Sequence, residues 1–175
     1  EKIVAAQATV KGIVLVEDTK RYYPMKNMLA QVIGYTTIDG VGQEGLEAKY
    51  NKYLAGIPGE QLVETDRYGI ELPYADSRRV SPTEGFGLVT TIDSKIQSYV
   101  EKAIDECVIA TKPKSVTAIV MDPKTGEVLA MAKKPDYDLN NPPRNDMSAL
   151  LELSRNTAVL DVYEPGSTFK TITTA

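Results

Sequence analysis

The order of apolar segments predicts a chain of mixed α and β structure, layered as α+β or α/β. Three observations carry this. Leu88-Val89-Thr90-Thr91-Ile92 reads as a strand that runs directly into a long helical pattern. Two further strand-like runs, Val116 to Met121 and Val128 to Ala132, flank a turn that contains Pro and Gly. Another helix opens close to the end of the sequence, after Pro165-Gly166.

The first half carries extended and turn signals around one helix. Gly12-Ile13-Val14-Leu15-Val16 is a strand candidate that ends at charged Glu17-Asp18. Leu29 to Tyr35 is apolar and of ambiguous type, stopped at Gly34. Leu46, Tyr50, Tyr53 and Leu54 recur at helical spacing and predict an amphipathic helix closed by Gly56 and Pro58. Leu62 to Thr65 and Ile70 to Leu72 flank Asp66-Arg67-Tyr68-Gly69, a hairpin pattern. Ser81-Pro82-Thr83-Glu84-Gly85-Phe86-Gly87 then reads as a linker, which predicts domains at 1–85 and 86–175.

In the second half, Asp93 is placed to N-cap a helix from Ser94 to Ala110. Ile96, Val100, Ile104, Cys107 and Val108 form its apolar stripe, so Cys107 is expected to be a buried structural thiol. Asp122-Pro123-Lys124-Thr125-Gly126 suits a hairpin loop with a left-handed residue at Gly126. Lys133 to Asn145 holds three prolines and several Asp and Asn, the composition of a long surface loop.

Composition removes several function classes. A formal net charge of −4, with Lys and Arg scattered, argues against a nucleic-acid footprint. No apolar run approaches a membrane span and no signal peptide opens the sequence. The absence of His rules out a Ser-His-Asp or Cys-His arrangement, or a His-based metal site, within these 175 residues. A single Cys leaves no intramolecular disulfide. Glu1-Lys2-Ile3-Val4 reads as the middle of an element, and Ala175 lies barely two turns into the last helix. Both ends are expected to be internal to a longer protein.

The strongest chemical statement is Ser167-Thr168-Phe169-Lys170. Pro165-Gly166 puts Ser167 near a helix N-terminus, with Lys170 one turn later on the same face. Acyl transfer needs a nucleophile stronger than a free serine hydroxyl, and without His the available bases are carboxylates and Lys. Burial and nearby positive potential lower a lysine pKa, so that the amine is neutral when it must accept the proton, and a helix N-terminus also favours charge developing on a carbonyl oxygen. Ser167 is therefore the candidate nucleophile and Lys170 the candidate general base. The competing reading of the bare pattern is an N-cap Ser followed by a solvated Lys.

The surrounding residues separate the two. Tyr163-Glu164-Pro165-Gly166-Ser167-Thr168-Phe169-Lys170 resembles the active-site segment of penicillin-binding proteins, the D,D-transpeptidases that cross-link bacterial peptidoglycan. Upstream, Thr91-Ile92-Asp93 with Ile96-Gln97, and the run from Ala118 to Met131, are similar to the opening of their catalytic domain. Arg155-Asn156 and Ala158 fit the family's lead-in to the active-site serine. Gly45-Leu46-Glu47, Tyr50, Leu54, Gly56 and Leu72-Pro73-Tyr74-Ala75-Asp76 resemble the non-catalytic pedestal of class B enzymes, in wording nearest the stage V sporulation protein D or division-specific type.

The resemblance implies an α+β protein: an elongated pedestal (dimerisation-type) domain, then the N-terminal part of a serine β-lactamase-like transpeptidase domain. It implies that Ser167 attacks the penultimate D-Ala carbonyl of a stem peptide and that β-lactams acylate the same serine, with no metal or other cofactor. It further implies an N-terminal membrane anchor with the catalytic part outside the membrane, and a membrane glycosyltransferase with division or sporulation proteins as partners. In the family the catalytic Ser-x-Asn and Lys-Thr-Gly follow the Ser-x-x-Lys. Lys124-Thr125-Gly126 and Ser154-Arg155-Asn156 both precede it, so the first is expected to be a hairpin turn and the second a structural lead-in. As a free 175-residue chain the protein is expected to be inactive. A serine β-lactamase, a penicillin sensor and a non-catalytic scaffold are the rival functions.

Overall fold

A computed structural model describes residues 20–62, 64, 67–68 and 78–174. The strand expected at Gly12–Val16 and the segment Leu72–Asp76 lie outside the described residues. The described elements, in chain order, are α1 (Ala30–Ile33), α2 (Gly45–Lys49), α3 (Asn51–Leu54), β1 (Glu60–Leu62) and β2 (Arg78–Val80). They continue as α4 (Ser94–Thr111), β3 (Val116–Met121), β4 (Val128–Lys134), α5 (Met147–Ser154) and α6 (Thr157–Leu160). A 3-10 turn, Gly166–Phe169, then runs into α7 (Lys170–Thr173). Helices and strands are mixed, as the sequence predicts.

The second half is organised by one antiparallel hairpin and the helix lying on it. β3 and β4 pair from Val116↔Lys134 to Val120↔Ala130, and the register then shifts so that Met121 faces Val128. Leu129 is the extra residue, a β-bulge. Its carbonyl accepts the Asp93 N–H at 2.9 Å, and the Thr91 hydroxyl donates to the neighbouring Val128 carbonyl at 2.7 Å. At the other end of the hairpin Gly126 takes φ +77, the left-handed conformation expected there, and its N–H closes the loop on Asp122 O at 2.8 Å. Leu88–Ile92, expected to be a strand, is not one. It joins no described ladder, its one bond to β4 being that of the Thr91 hydroxyl, and Val89 is 95% exposed.

Asp93 caps α4 as expected, its carboxylate accepting from Lys95 N at 2.8 Å and Ile96 N at 3.0 Å. The buried face is centred on polar Gln97, which is 0% exposed, with Ile104 behind it. Gln97 Nε2 donates to Met131 O at 3.0 Å, and Gln97 Oε1 accepts from Met131 N at 2.9 Å. One carboxamide thus completes both main-chain groups of a residue in the middle of β4. Cys107 lies on the flank of this face and is exposed, which corrects the expectation of a buried thiol.

The principal apolar cluster joins distant parts of the chain. Ala30 and Tyr35 pack with Tyr137, Leu139 and Leu150, the two tyrosine rings meeting edge-on at 6.3 Å. Lys133–Asn145 is therefore no simple surface loop: its first two residues end β4, and Tyr137 and Leu139 turn inward. Polar pairs fix the seam. Asn140 Nδ2 donates to Tyr23 O at 2.7 Å and Asn140 Oδ1 accepts from Tyr23 N at 2.9 Å. Gln31 Nε2 donates to Pro135 O at 3.1 Å and Leu153 O at 3.0 Å.

The amphipathic helix expected from Leu46 to Leu54 is two short helices, broken at Tyr50 (φ −108, ψ 13). Its buried residue is not one of the apolar stripe but Glu47, which pairs with Arg21 (Nε to Oε1, 3.1 Å) and accepts from the Tyr23 hydroxyl at 3.2 Å. Burial first, and then the Glu47 charge and hydrogen bond, push the Tyr23 phenol up to about 12. Of the expected 62–72 hairpin, Arg67 and Tyr68 form a turn, while Val63, Thr65 and the strand Ile70–Leu72 lie outside the described residues; the described ladder is Glu60–Leu62 with Arg78–Val80, register Glu60↔Val80. The linker is pinned rather than free: Ile57 and Thr83 form a bridge, and Phe86 N donates to Tyr53 O at 2.8 Å. A side chain at Gly85 would begin 2.1 Å from Leu54 O, so only glycine passes there.

Two predictions follow from this packing. Gln97→Leu leaves the Met131 N–H and C=O buried without partners and is expected to lower unfolding stability by about 2 kcal/mol in denaturant titration. The N-cap bonds from Ile96 and Lys95 hold the Asp93 carboxyl below its ordinary range. Because its pKa is depressed in the folded state, its stabilisation is present above the ordinary carboxylate pKa, about 4, and is lost as pH falls through and below it. Asp93→Asn is accordingly expected to flatten the acid limb of a melting-temperature profile.

Candidate active site

The path to Ser167 starts at α5, whose N-cap Asp146 accepts from Ala149 N at 3.0 Å. The helix ends at Arg155, which is extended (φ −60, ψ 121), and Asn156 immediately caps α6 by accepting from Ala158 N at 3.2 Å. Residues 161–165 run without regular structure, and Gly166 takes φ +53 to start the 3-10 turn. Thr168 N donates to Pro165 O at 3.2 Å, closing that turn. In 3-10 geometry residues three apart eclipse one another. Ser167, inside the turn, and Lys170, the first residue of α7, therefore stand on one face.

Both are exposed, and among the described residues no hydrogen bond joins them. The threonine hydroxyls around them are occupied with local carbonyls: Thr168 with Pro165 O, Thr171 with Thr168 O and Thr174 with Lys170 O. The turn thus offers a serine hydroxyl and a lysine amine on one side, with its first N–H groups at the same end.

Lys124-Thr125-Gly126 lies in the β3–β4 turn, held by Lys124 N donating to Asp122 Oδ1 at 2.8 Å. Ser154 is buried at the end of α5, its hydroxyl donating to Leu151 O at 3.3 Å. Sequence reasoning missed Lys133. The composition of 133–145 predicts a surface loop, yet Lys133 is the penultimate residue of β4 and 6% exposed. The available signal was alternation: Ala130, Ala132 and Lys134 take one side of the strand, which leaves Lys133 on the other. Among the described residues no group of acidic, Cys or His side chains could hold a metal ion, and no helix is long and apolar enough to cross a membrane.

Residues 1–90 match the model of the penicillin-binding protein dimerisation domain, and residues 116–175 that of the penicillin-binding protein transpeptidase domain. Among curated proteins, the probable peptidoglycan D,D-transpeptidase PenA of Neisseria gonorrhoeae is 40% identical over 92% of this chain and 27% of its own length. Stage V sporulation protein D of Bacillus subtilis is 37% identical over 95% of this chain and 25% of its own length. The crystal structure of a peptidoglycan synthetase from Bifidobacterium adolescentis superposes with a TM-score of 0.71 at 26% identity, covering 97% of this chain and 30% of that one. The chain spans about a quarter of the length of the curated relatives it matches. With a dimerisation-domain match followed in chain order by a transpeptidase-domain match, the chain belongs to the class B penicillin-binding proteins.

Proposed function

We propose that this chain carries the nucleophilic turn of a peptidoglycan D,D-transpeptidase, with Ser167 as nucleophile and Lys170 as proton acceptor. The observation that carries the reading is their placement three apart across one tight helical turn, inside the segment that matches the transpeptidase domain. The Ser167 oxygen attacks the penultimate D-Ala carbonyl of a stem peptide while its proton passes to the Lys170 amine. The C–N bond to the terminal D-Ala then breaks, and the leaving amine takes up a proton. An amine of a neighbouring stem peptide displaces Ser167 from the acyl-enzyme and forms the cross-link; water in its place gives carboxypeptidase turnover. A β-lactam enters the same first step through its strained amide and stays attached.

The domain division proposed with this function is 1–85 for the pedestal and 86–175 for the start of the catalytic domain. The exposed stretch 84–88, which lies in no helix or strand, supports it. The working protein is placed on the outer face of a bacterial membrane through an anchor, in septal or spore wall synthesis. A membrane glycosyltransferase and division or sporulation proteins are its proposed partners.

The test uses a protein of the relatives' full length that contains these residues. Fluorescent penicillin is expected to label it one to one, with the adduct mapped to the Ser167 peptide by mass spectrometry. Ser167→Ala is expected to abolish labelling, and Lys170→Ala to slow acylation by roughly a hundredfold or more, the range of a lost general base. Persistent labelling of Ser167→Ala would overturn the assignment. The isolated 175-residue chain, in which Ser167 and Lys170 are exposed and unbonded to each other, is expected to remain unlabelled.

A further inference from the structure

One buried cation has no part in the chemistry above. Lys133 Nζ donates to Arg155 O at 2.8 Å and to Glu152 O at 3.2 Å, two of the carbonyls left open where α5 ends. Burial holds its amine below the usual lysine range, against the pull of the Asp161 and Glu152 charges, while the Arg155 charge adds to the lowering. Water could satisfy carbonyls at a helix end without the cost of sequestering an ammonium group. The lysine supplies something water does not: a fixed link between β4 and the residue at which the chain turns towards Ser167.

That residue, Arg155, is itself bonded onward. Its guanidinium ion-pairs with Asp161, at the start of the irregular lead-in. The adjoining residues are fastened to the same hairpin: Asn156 Nδ2 meets Met131 Sδ at 3.4 Å, and the Thr157 hydroxyl lies 3.4 Å from that of Thr117. Beyond this joint the tethers are few. Among the described residues, Asp161–Gly166 is tied to what precedes it by the Arg155 ion pair and by Asp161 N donating to Thr157 O at 3.3 Å.

We propose that Lys133 is a positioning residue for Ser167: by fixing the Arg155 carbonyl it sets how Arg155 grips Asp161, and so where the lead-in delivers the nucleophilic turn. This rests on the reading of Ser167 as nucleophile. Lys133 touches no reacting atom. Its effect falls on the geometry of attack, where displacement of about 1 Å changes rates by up to roughly a hundredfold.

The experiment measures β-lactam acylation of the full-length protein by stopped flow, separating the dissociation constant of the reversible complex from the first-order acylation constant. Each variant is studied well below its own melting temperature. Lys133→Met and Asp161→Asn are each expected to lower the first-order constant about tenfold or more while leaving the dissociation constant unchanged. The double variant is expected to be no slower than the worse single one, because both act along one route. Lys133→Arg is expected to recover most of the rate. If Lys133→Met does not fold, Asp161→Asn and Lys133→Arg decide: the former must show the rate loss with binding intact, and the latter must stay close to the parent rate. A parent acylation constant in Lys133→Met with only a lower melting temperature, or additive losses in the double variant, would overturn the proposal. Failure of the parent to acylate at Ser167 removes the nucleophile assignment and this inference together; rapid acylation of both parent and Lys133→Met removes this inference alone.

Discussion

The carboxamide of Gln97 is the contact on which the second half of the molecule depends. It binds the N–H and the C=O of Met131 at once, as a neighbouring strand would, from the side chain of a helix. Because the group is fully buried, no water can take over either bond. Helix α4 is thereby fixed in rotation and along its axis against β4. Everything further along is built on that strand: Met131 presents its sulfur to Asn156, Lys133 reaches the end of α5, and Lys134 meets Asp105 and Asp136 at 2.9 and 2.8 Å.

Where local chemistry decides structure, the sequence could be read directly. Asp93 caps its helix because a short carboxylate there can reach two free N–H groups, and Gly126 closes its turn because it tolerates a positive φ. The Ser167 turn was legible for the same reason, since Pro165-Gly166 fixes where the helix begins. What escaped was decided at long range. Tyr137 and Leu139 stand among prolines and acids, and only the apolar face offered by Ala30 and Tyr35, about a hundred residues earlier, draws them inward. Glu47 is buried because Arg21 and Tyr23 come to meet it, which no periodicity reveals. Apolar spacing alone puts Cys107 on the buried face of its helix, whereas a glutamine occupies the middle of that face and leaves the thiol exposed.

The candidate site and the body of the structure differ in how they are held. The joint at Arg155–Thr157 is fastened by a cation, a sulfur and a hydroxyl from one hairpin. A few residues later Val162 and Tyr163 stand in solvent and Ser167 sits on a turn closed only by its own neighbours. Under the proposal that Ser167 is the nucleophile, its direction comes from the joint behind it, not from packing around it.

The bulge at Leu129 gives the hairpin an asymmetry in how its length can change. Side chains on a strand alternate sides, so one residue added to or lost from Ala130–Lys134 would exchange the two faces of β4. Gln97 would then meet the wrong main-chain groups and Lys133 would point away from α5. The Asp122–Gly126 turn lies beyond the bulge, and its own hydrogen bonds stay within residues 122–127. A change of length is therefore expected to be absorbed at that tip more readily than in the strand behind it.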